Sequence, residues 1–234
     1  MIKVFIGTED AQWLPTEVLK HSILRRTSEK VEFKELKNIP LKLNLKMYTG
    51  FSFYRFYIPE AVGYEGRAIY LDADIVVLTD IKGLNELDMQ GKGVLARPFP
   101  QYDCWFTSVM LMDASTLKHW KINEWAALIN AGLANYDGIM TGGKKGLNHK
   151  DFGNFPEMWN HLDQFDSTTK ILHYTHVPTQ PWKKGGHPFR GVFLKELKAA
   201  LEDKIVTKQE VEREINSGYI YPAILEDMEQ AASL

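Results

Sequence analysis

Two aspartates one residue apart, Asp72 and Asp74, stand inside the run "RAIYLDADIVVL" (67–78), with apolar residues on both sides. Val, Ile, Leu and Tyr dominate that run, as in a strand covered on both faces. A strand ending near Leu71 puts both acids at its carboxyl rim, where open α/β sheets bind their ligands. With a period of two they share one face and repel each other unless positive charge lies between them. Oxygen ligands suit Mg²⁺ or Mn²⁺, and such an ion commonly carries a diphosphate. An arbitrary Asp-x-Asp is more often a pair of solvated acids in a β-turn; "IYL" before and "IVV" after favour the metal-binding reading here.

Other segments carry groups that could act on a phosphate. "QPWKKGGHPFRG" (180–191) holds Lys183, Lys184, His187 and Arg190 among three glycines and two prolines. Glycines let backbone amides approach a phosphate and the cations neutralise it, although a solvated basic loop has the same composition. "TGGKKG" (141–146) lacks the preceding strand and the spacing of a phosphate loop and reads equally as a flap. His173 closes a second apolar run, "KILHY", where a lone histidine is more often a core residue than a ligand.

The elements that must position these groups read as follows. "IKVFIG" (2–7) is an opening buried strand, "LPTEVLKHSILRRTS" (14–28) a helix with one apolar stripe, and "VEFKELK" (31–37) a strand. Strand, helix, strand over this length opens a parallel α/β sheet. "SFYRFYIPEAVG" (52–63) reads as a helix that Pro59 ends or kinks. "GVLARPF" (93–99) and "TSVMLMDA" (107–114) are strands, and 115–133 is a helix that Ser115 caps. Residues 134–192 lack periodicity, as a binding segment does. Two helices follow, 192–204 and 207–218, the second with a Thr207–Glu210 capping box. One domain is the simplest organisation, with 193–234 as a helical C-terminal extension.

Composition narrows the partners. A formal net charge of −2 over 234 residues argues against nucleic-acid binding, so a phosphate ligand needs a local basic cluster. One cysteine, Cys104, allows no internal disulfide and fits a reducing compartment. The opening "MIKVFIGTEDAQW" lacks the pattern of a signal peptide, and no run reaches a membrane span. The expectation is a soluble, cytoplasmic protein with no transmembrane segment.

"RAIYLDADIVVL" resembles the metal-binding Asp-x-Asp segment of nucleotide-sugar glycosyltransferases with the GT-A fold, most of all glycosyltransferase family 8, the galactosyltransferase and glycogenin-like group. Other landmarks fall in the family's order: "VFIGTED" resembles its first strand and nucleotide loop, "SFYRFYIPE" the helix before the motif, "WFTSVMLMDAS" its "FNxGvmlin" strand, and "ILHYTHVPTQPWK" its late His-x-x-Gly-x-x-Lys-Pro-Trp segment. The resemblance spans about residues 2 to 183. It implies an α/β fold of the GT-A, Rossmann-like kind, with a mixed, mainly parallel sheet and helices on both faces.

The resemblance also implies a site. Asp72, Asp74 and His173 would bind the metal, and imidazole beside two carboxylates suits Mn²⁺ better than Mg²⁺. Asp74 would bridge to the diphosphate and Asp72 would also touch donor hydroxyls, with Ala73 between them against the donor. Gly7, Thr8 and Glu9 would sit at the uridine, and Arg55 on the sugar and phosphates. Thr107 stands where the family often has Asn, followed by Ser108 beside the donor. His176 stands near the expected glycine and Gln180 replaces the expected lysine, which leaves Lys183 or Lys184 to reach the same phosphate. Asp137 in "NYDGIM" is the one acid left of an acid–amide–acid triplet that faces the anomeric carbon; a helix-ending Asp before Gly138 is the bland alternative. Asp103 and Cys104 could face the acceptor.

The expected activity is metal-dependent, retaining transfer of a hexose from a nucleoside diphosphate sugar, a UDP-sugar first, to an acceptor hydroxyl. Two alternatives compete. A nucleotidyltransferase making nucleotide sugars would need a Gly-rich loop after the first strand, and "IGTEDAQW" has one Gly and no Lys or Arg. A non-catalytic nucleotide- or carbohydrate-binding relic is favoured by Gln180 and opposed by Asp72, Asp74 and His173.

Overall fold

The computed structural model describes residues 1–39, 41–42 and 45–231. In chain order its elements are strand β1 (Ile2–Gly7), helix α1 (Trp13–Leu24), β2 (Val31–Leu36), α2 (Ile58–Ala61), β3 (Arg67–Asp72), β4 (Ile75–Val77) and α3 (Lys82–Asn85). They continue with β5 (Val94–Phe99), β6 (Cys104–Asp113), α4 (Ile122–Asn130), α5 (Tyr136–Thr141), β7 (Phe152–Asn154), β8 (His161–Leu162) and β9 (Ile171–His173). Three helices close the chain, α6 (Arg190–Glu202), α7 (Lys208–Asn216) and α8 (Ile224–Ala231). These residues fall into two compact units.

The first unit comprises Met1–Thr8, Glu29–Asp72 and Lys82–Trp159. Its sheet runs β2-β1-β3-β6-β5-β7. The pairs β1–β2, β1–β3 and β5–β7 are parallel, and β3–β6 and β5–β6 antiparallel. Position in the sheet explains each strand's composition. β3 has a neighbour on each side and buries Ala68 to Leu71 completely, hence its unbroken apolar run. β2 is an edge strand, and Glu32 and Lys34 are exposed on it. One face carries an aromatic core in which Phe53, Phe56, Tyr70, Trp120 and Phe152 are buried.

The second unit comprises Glu9–Ser28, Ala73–Ile81 and Asn160–Leu234. Its sheet, β4-β9-β8, pairs β4 with β9 antiparallel and β8 with β9 parallel. Leu14 and Val18 of α1, Val76 of β4, Leu172 of β9 and Phe193, Leu194 and Leu197 of α6 share one core. The capping box at α7 is present as expected, with Thr207 and Glu210 each bonding the other's backbone N–H.

Several expected elements differ. Pro59 does not end a helix; it opens one. Residues Ser52–Tyr57 form a 3₁₀ helix and Pro59 lies in the first turn of α2, where its missing N–H costs nothing. Ser115 caps no α-helix: it lies in a 3₁₀ turn, and the Asp113 carboxylate accepts from its N–H at 3.1 Å and its hydroxyl at 2.6 Å. α4 starts later because Trp120 is completely buried and its indole N–H donates to Asp151 at 2.7 Å. Cys104 opens β6 rather than preceding it. The segment 134–192 contains α5 and three short strands. Among the described residues no helix is long and apolar enough to cross a membrane.

Candidate metal and donor site

The segment Asp72-Ala73-Asp74 is where one sheet stops and the other begins. Asp72 is the last residue of β3, in register with Gly7 of β1. The chain then bends at residues 73 and 74 and enters β4. The two acids therefore do not share a strand face, as a period of two would have it: the strand ends between them.

Asp72 lies in the first unit, and so do Tyr70 and Arg55, which donate to it. The Tyr70 hydroxyl donates to Asp72 Oδ1 in a short hydrogen bond, and Arg55 Nη2 donates to the same oxygen at 3.1 Å. Arg55 is only 5% exposed. Its Nε donates to the Ser52 carbonyl at 2.8 Å, and Nη1 donates to the Thr107 carbonyl at 2.6 Å and its hydroxyl at 3.1 Å. The guanidinium also lies 4.5 Å from the centre of the Tyr70 ring. Thr107 in turn donates its hydroxyl to the Met140 carbonyl at 2.6 Å, which spends its proton inside the protein. Gly7 makes room for this arrangement, because a Cβ there would overlap the Tyr70 hydroxyl and come within 2.9 Å of the Phe51 ring.

Asp74 lies in the second unit, with His173, Tyr174 and Gln180. Strand register sets it beside His173: Ile75, the next residue, pairs with His173, and the Tyr174 N–H donates to the Asp74 carbonyl at 2.9 Å. The Gln180 side-chain amide donates to Asp74 Oδ2 and to the Tyr174 carbonyl, both at 2.9 Å, and Gln180 is 1% exposed. Asp74 Oδ1 is buried and accepts no hydrogen bond among the described residues, although His173 Nε2 stands 3.0 Å away outside hydrogen-bonding geometry. The other ring nitrogen of His173 faces Asn160 Oδ1 at 3.3 Å. A proton on Nδ1 toward that oxygen would leave Nε2, the nitrogen nearer Asp74, as a metal ligand.

One ligand atom each from Asp72, Asp74 and His173 lies within 4.8 Å of the other two. The residues fit a divalent cation. A buried carboxylate oxygen without a hydrogen-bond donor is costly, and a cation held between it and the His173 imidazole would offset that cost. Two carboxylate oxygens and one imidazole nitrogen make a hard-to-borderline donor set.

The remaining expected residues are placed as follows. Thr8 and Ser108 are buried, Glu9 is exposed, and Ala73 is completely buried. Lys183 is exposed and lines a cavity of about 590 Å³ in the second unit. Asp137 does not end a helix; it sits in the first turn of α5, whose cap is Asn135. Its carboxylate accepts a short hydrogen bond from the Tyr48 hydroxyl. Burial, then that bond, pushes the Tyr48 phenol up to about 12. Asp103 is paired with Lys144 at 3.0 Å. Sequence reasoning missed Tyr70, Asn160 and Tyr48. Tyr70 carried a signal, a hydroxyl two residues before Asp72 on the same strand; Asn160 and Tyr48 carried none.

The model of Glycosyl transferase family 8 matches residues 8–125. Protein CDI of Arabidopsis thaliana is 25% identical over 202 residues, covering 74% of this chain and 77% of that one. The galactosyltransferase LgtC, solved with donor and acceptor sugar analogues, superposes with a TM-score of 0.64 at 13% identity, covering 85% of this chain and 96% of its own. The glycosyltransferase GlyE of Streptococcus pneumoniae gives 0.64 at 17%, over 94% of this chain and 64% of its own. The α/β fold with its mainly parallel central sheet is that of the GT-A transferases.

Proposed function

The chain belongs to glycosyl transferase family 8 and is a glycosyltransferase; on that premise we propose that it moves a hexose from a nucleoside diphosphate sugar, a UDP-sugar first, to an acceptor hydroxyl, with a divalent metal and with retention at the anomeric carbon. One observation carries the metal-dependent part: Asp74 Oδ1, buried without a hydrogen bond, groups with Asp72 and His173 within 4.8 Å. Asp72, Asp74 and His173 would hold Mn²⁺ or Mg²⁺. When bound, such an ion supplies positive charge to the leaving diphosphate.

The chain's own residues do the rest. Arg55 and Tyr70 fix the Asp72 carboxylate, and Arg55 acts on the donor through that carboxylate. Gln180 holds Asp74 Oδ2 and so leaves Oδ1 turned toward His173; it replaces the expected lysine as a neutral orienting group, and Lys183 takes the phosphate. Glu9 would meet the uridine, with Gly7 and Thr8 at the end of β1. Asp137 would stabilise positive charge on the sugar once Tyr48 releases it. In the reaction the acceptor oxygen bonds to the anomeric carbon, the bond from that carbon to the diphosphate oxygen breaks, and that oxygen takes the acceptor's proton on the same face. Both units are read as one transferase domain, since the family match runs through segments of each.

The test is Asp74→Asn. Metal-dependent turnover of the donor should fall by at least about a hundredfold while the circular dichroism spectrum and unfolding transition stay close to wild type. Near-normal turnover would sink the metal site.

A further inference from the structure

The C-terminal stretch after α7 has no place in the site described so far, yet it walls the cavity that Lys183 lines. That cavity, about 590 Å³, is bounded by Ala11, Lys183, Ile215, Tyr219, Tyr221 and Pro222. The volume falls in the range of pockets that hold small ligands.

Its wall is built to be rigid. α7 ends in a double hydrogen-bonded turn: Gly218 N–H donates to the Ile215 carbonyl at 2.9 Å and Tyr219 N–H to the Glu214 carbonyl at 3.1 Å. Gly218 has φ +77°, a left-handed conformation that glycine adopts without strain, and it fixes the direction in which Tyr219 leaves the helix. Two residues on, the Tyr221 N–H donates to the Trp182 carbonyl at 2.9 Å, which ties this stretch to the residue before Lys183. The Tyr221 hydroxyl accepts from Arg190 Nη2 at 2.8 Å and donates to Asp227 at 2.7 Å. Tyr221 is therefore anchored at both ends. Tyr219 is different: it is 42% exposed beside the cavity.

Tyr219 and Lys183 thus line one space, which Ala11, Ile215 and Pro222 also border. A flat ring joined to an anion matches that pair, since bases stack on aromatic faces and ammonium groups bind phosphate. Ala11 lies two residues beyond Glu9, so the cavity also borders the loop expected at the base.

We infer that the turn Gly218–Pro222 forms the base-side wall of the nucleotide site, with Tyr219 stacking on the nucleobase and Lys183 reaching the phosphates. The inference rests on the transferase reading. The full chain is titrated calorimetrically with UDP, with GDP and with pyrophosphate, each in the presence of Mn²⁺, as wild type, Tyr219→Ala and Tyr219→Phe. Tyr219→Ala should weaken nucleotide binding by about tenfold, Tyr219→Phe should bind as wild type, and pyrophosphate, which has no base, should bind all three alike. Unchanged nucleotide binding by Tyr219→Ala, or an equal loss for pyrophosphate, would overturn the inference and leave the transferase reading standing. No binding of either nucleotide by the wild type would overturn both.

Discussion

Replacing Tyr70 by Phe removes one oxygen atom from the site. The ring stays, and with it the contact to the Arg55 guanidinium at 4.5 Å. The crowding at Gly7 eases, because the group its Cβ would meet is the Tyr70 hydroxyl. What disappears is one of the hydrogen bonds that converge on Asp72 Oδ1; Arg55 Nη2 at 3.1 Å remains. A hydrogen bond to a charged group contributes about 1.5–3 kcal/mol, and partners behind a metal ligand typically affect metal affinity by about 10–100-fold. Arg55 keeps Asp72 partly oriented, so the lower end, about tenfold, is expected. The assay is a Mn²⁺ titration of wild type and Tyr70→Phe, followed by calorimetry and by the metal dependence of donor turnover. The half-saturating metal concentration should rise about tenfold, with turnover at saturating metal recovering most of its value. A metal affinity within about twofold of wild type, in a variant that folds normally, would refute the positioning role.

Gly7→Ala should do worse than Tyr70→Phe, since its Cβ overlaps the Tyr70 hydroxyl and displaces the Asp72 carboxylate with it; donor turnover reads this, and the double variant with Tyr70→Phe should recover part of the loss. Gln180→Leu should remove the amide that holds Asp74 Oδ2, weakening metal binding by about tenfold or more and lowering stability by about 1–3 kcal/mol, as measured by Mn²⁺ titration and denaturant unfolding. Thr207→Ala breaks the capping box of α7 at a cost of about 1 kcal/mol; the melting temperature should fall by about 2–4 °C with metal affinity unchanged.

The sequence showed most of what local chemistry dictates. β1, β2, β3 and β5 lie within a residue or two of their expected bounds because each is a short apolar or alternating run, and β1, β3 and β5 close at Gly7, Asp72 and Pro100. Asp72, Asp74 and His173 were named together through family resemblance, and they do group. How they group was not legible. The strand ends at Asp72, one residue past its expected end near Leu71, but a period of two keeps Asp72 and Asp74 on one face only while a strand continues, and the chain bends at residues 73 and 74 instead. The pairing of Ile75 with His173 is a contact between distant parts of the chain, which no local pattern encodes. The same holds for Trp120, whose anchoring to Asp151 shortens a helix that spacing alone would extend. Nor does any local pattern foretell that Arg55, expected on the donor, also donates to Ser52, Thr107 and Asp72.

Donor hydrolysis without an acceptor tests the central claim most directly. The protein would be incubated with a panel of UDP- and GDP-sugars in Mn²⁺, Mg²⁺ or EDTA, and the released nucleotide measured, with Asp74→Asn in parallel. The account predicts release from one UDP-sugar that requires the metal and is abolished by EDTA and by Asp74→Asn. Release that persists in EDTA, or at the wild-type rate in Asp74→Asn, would contradict it.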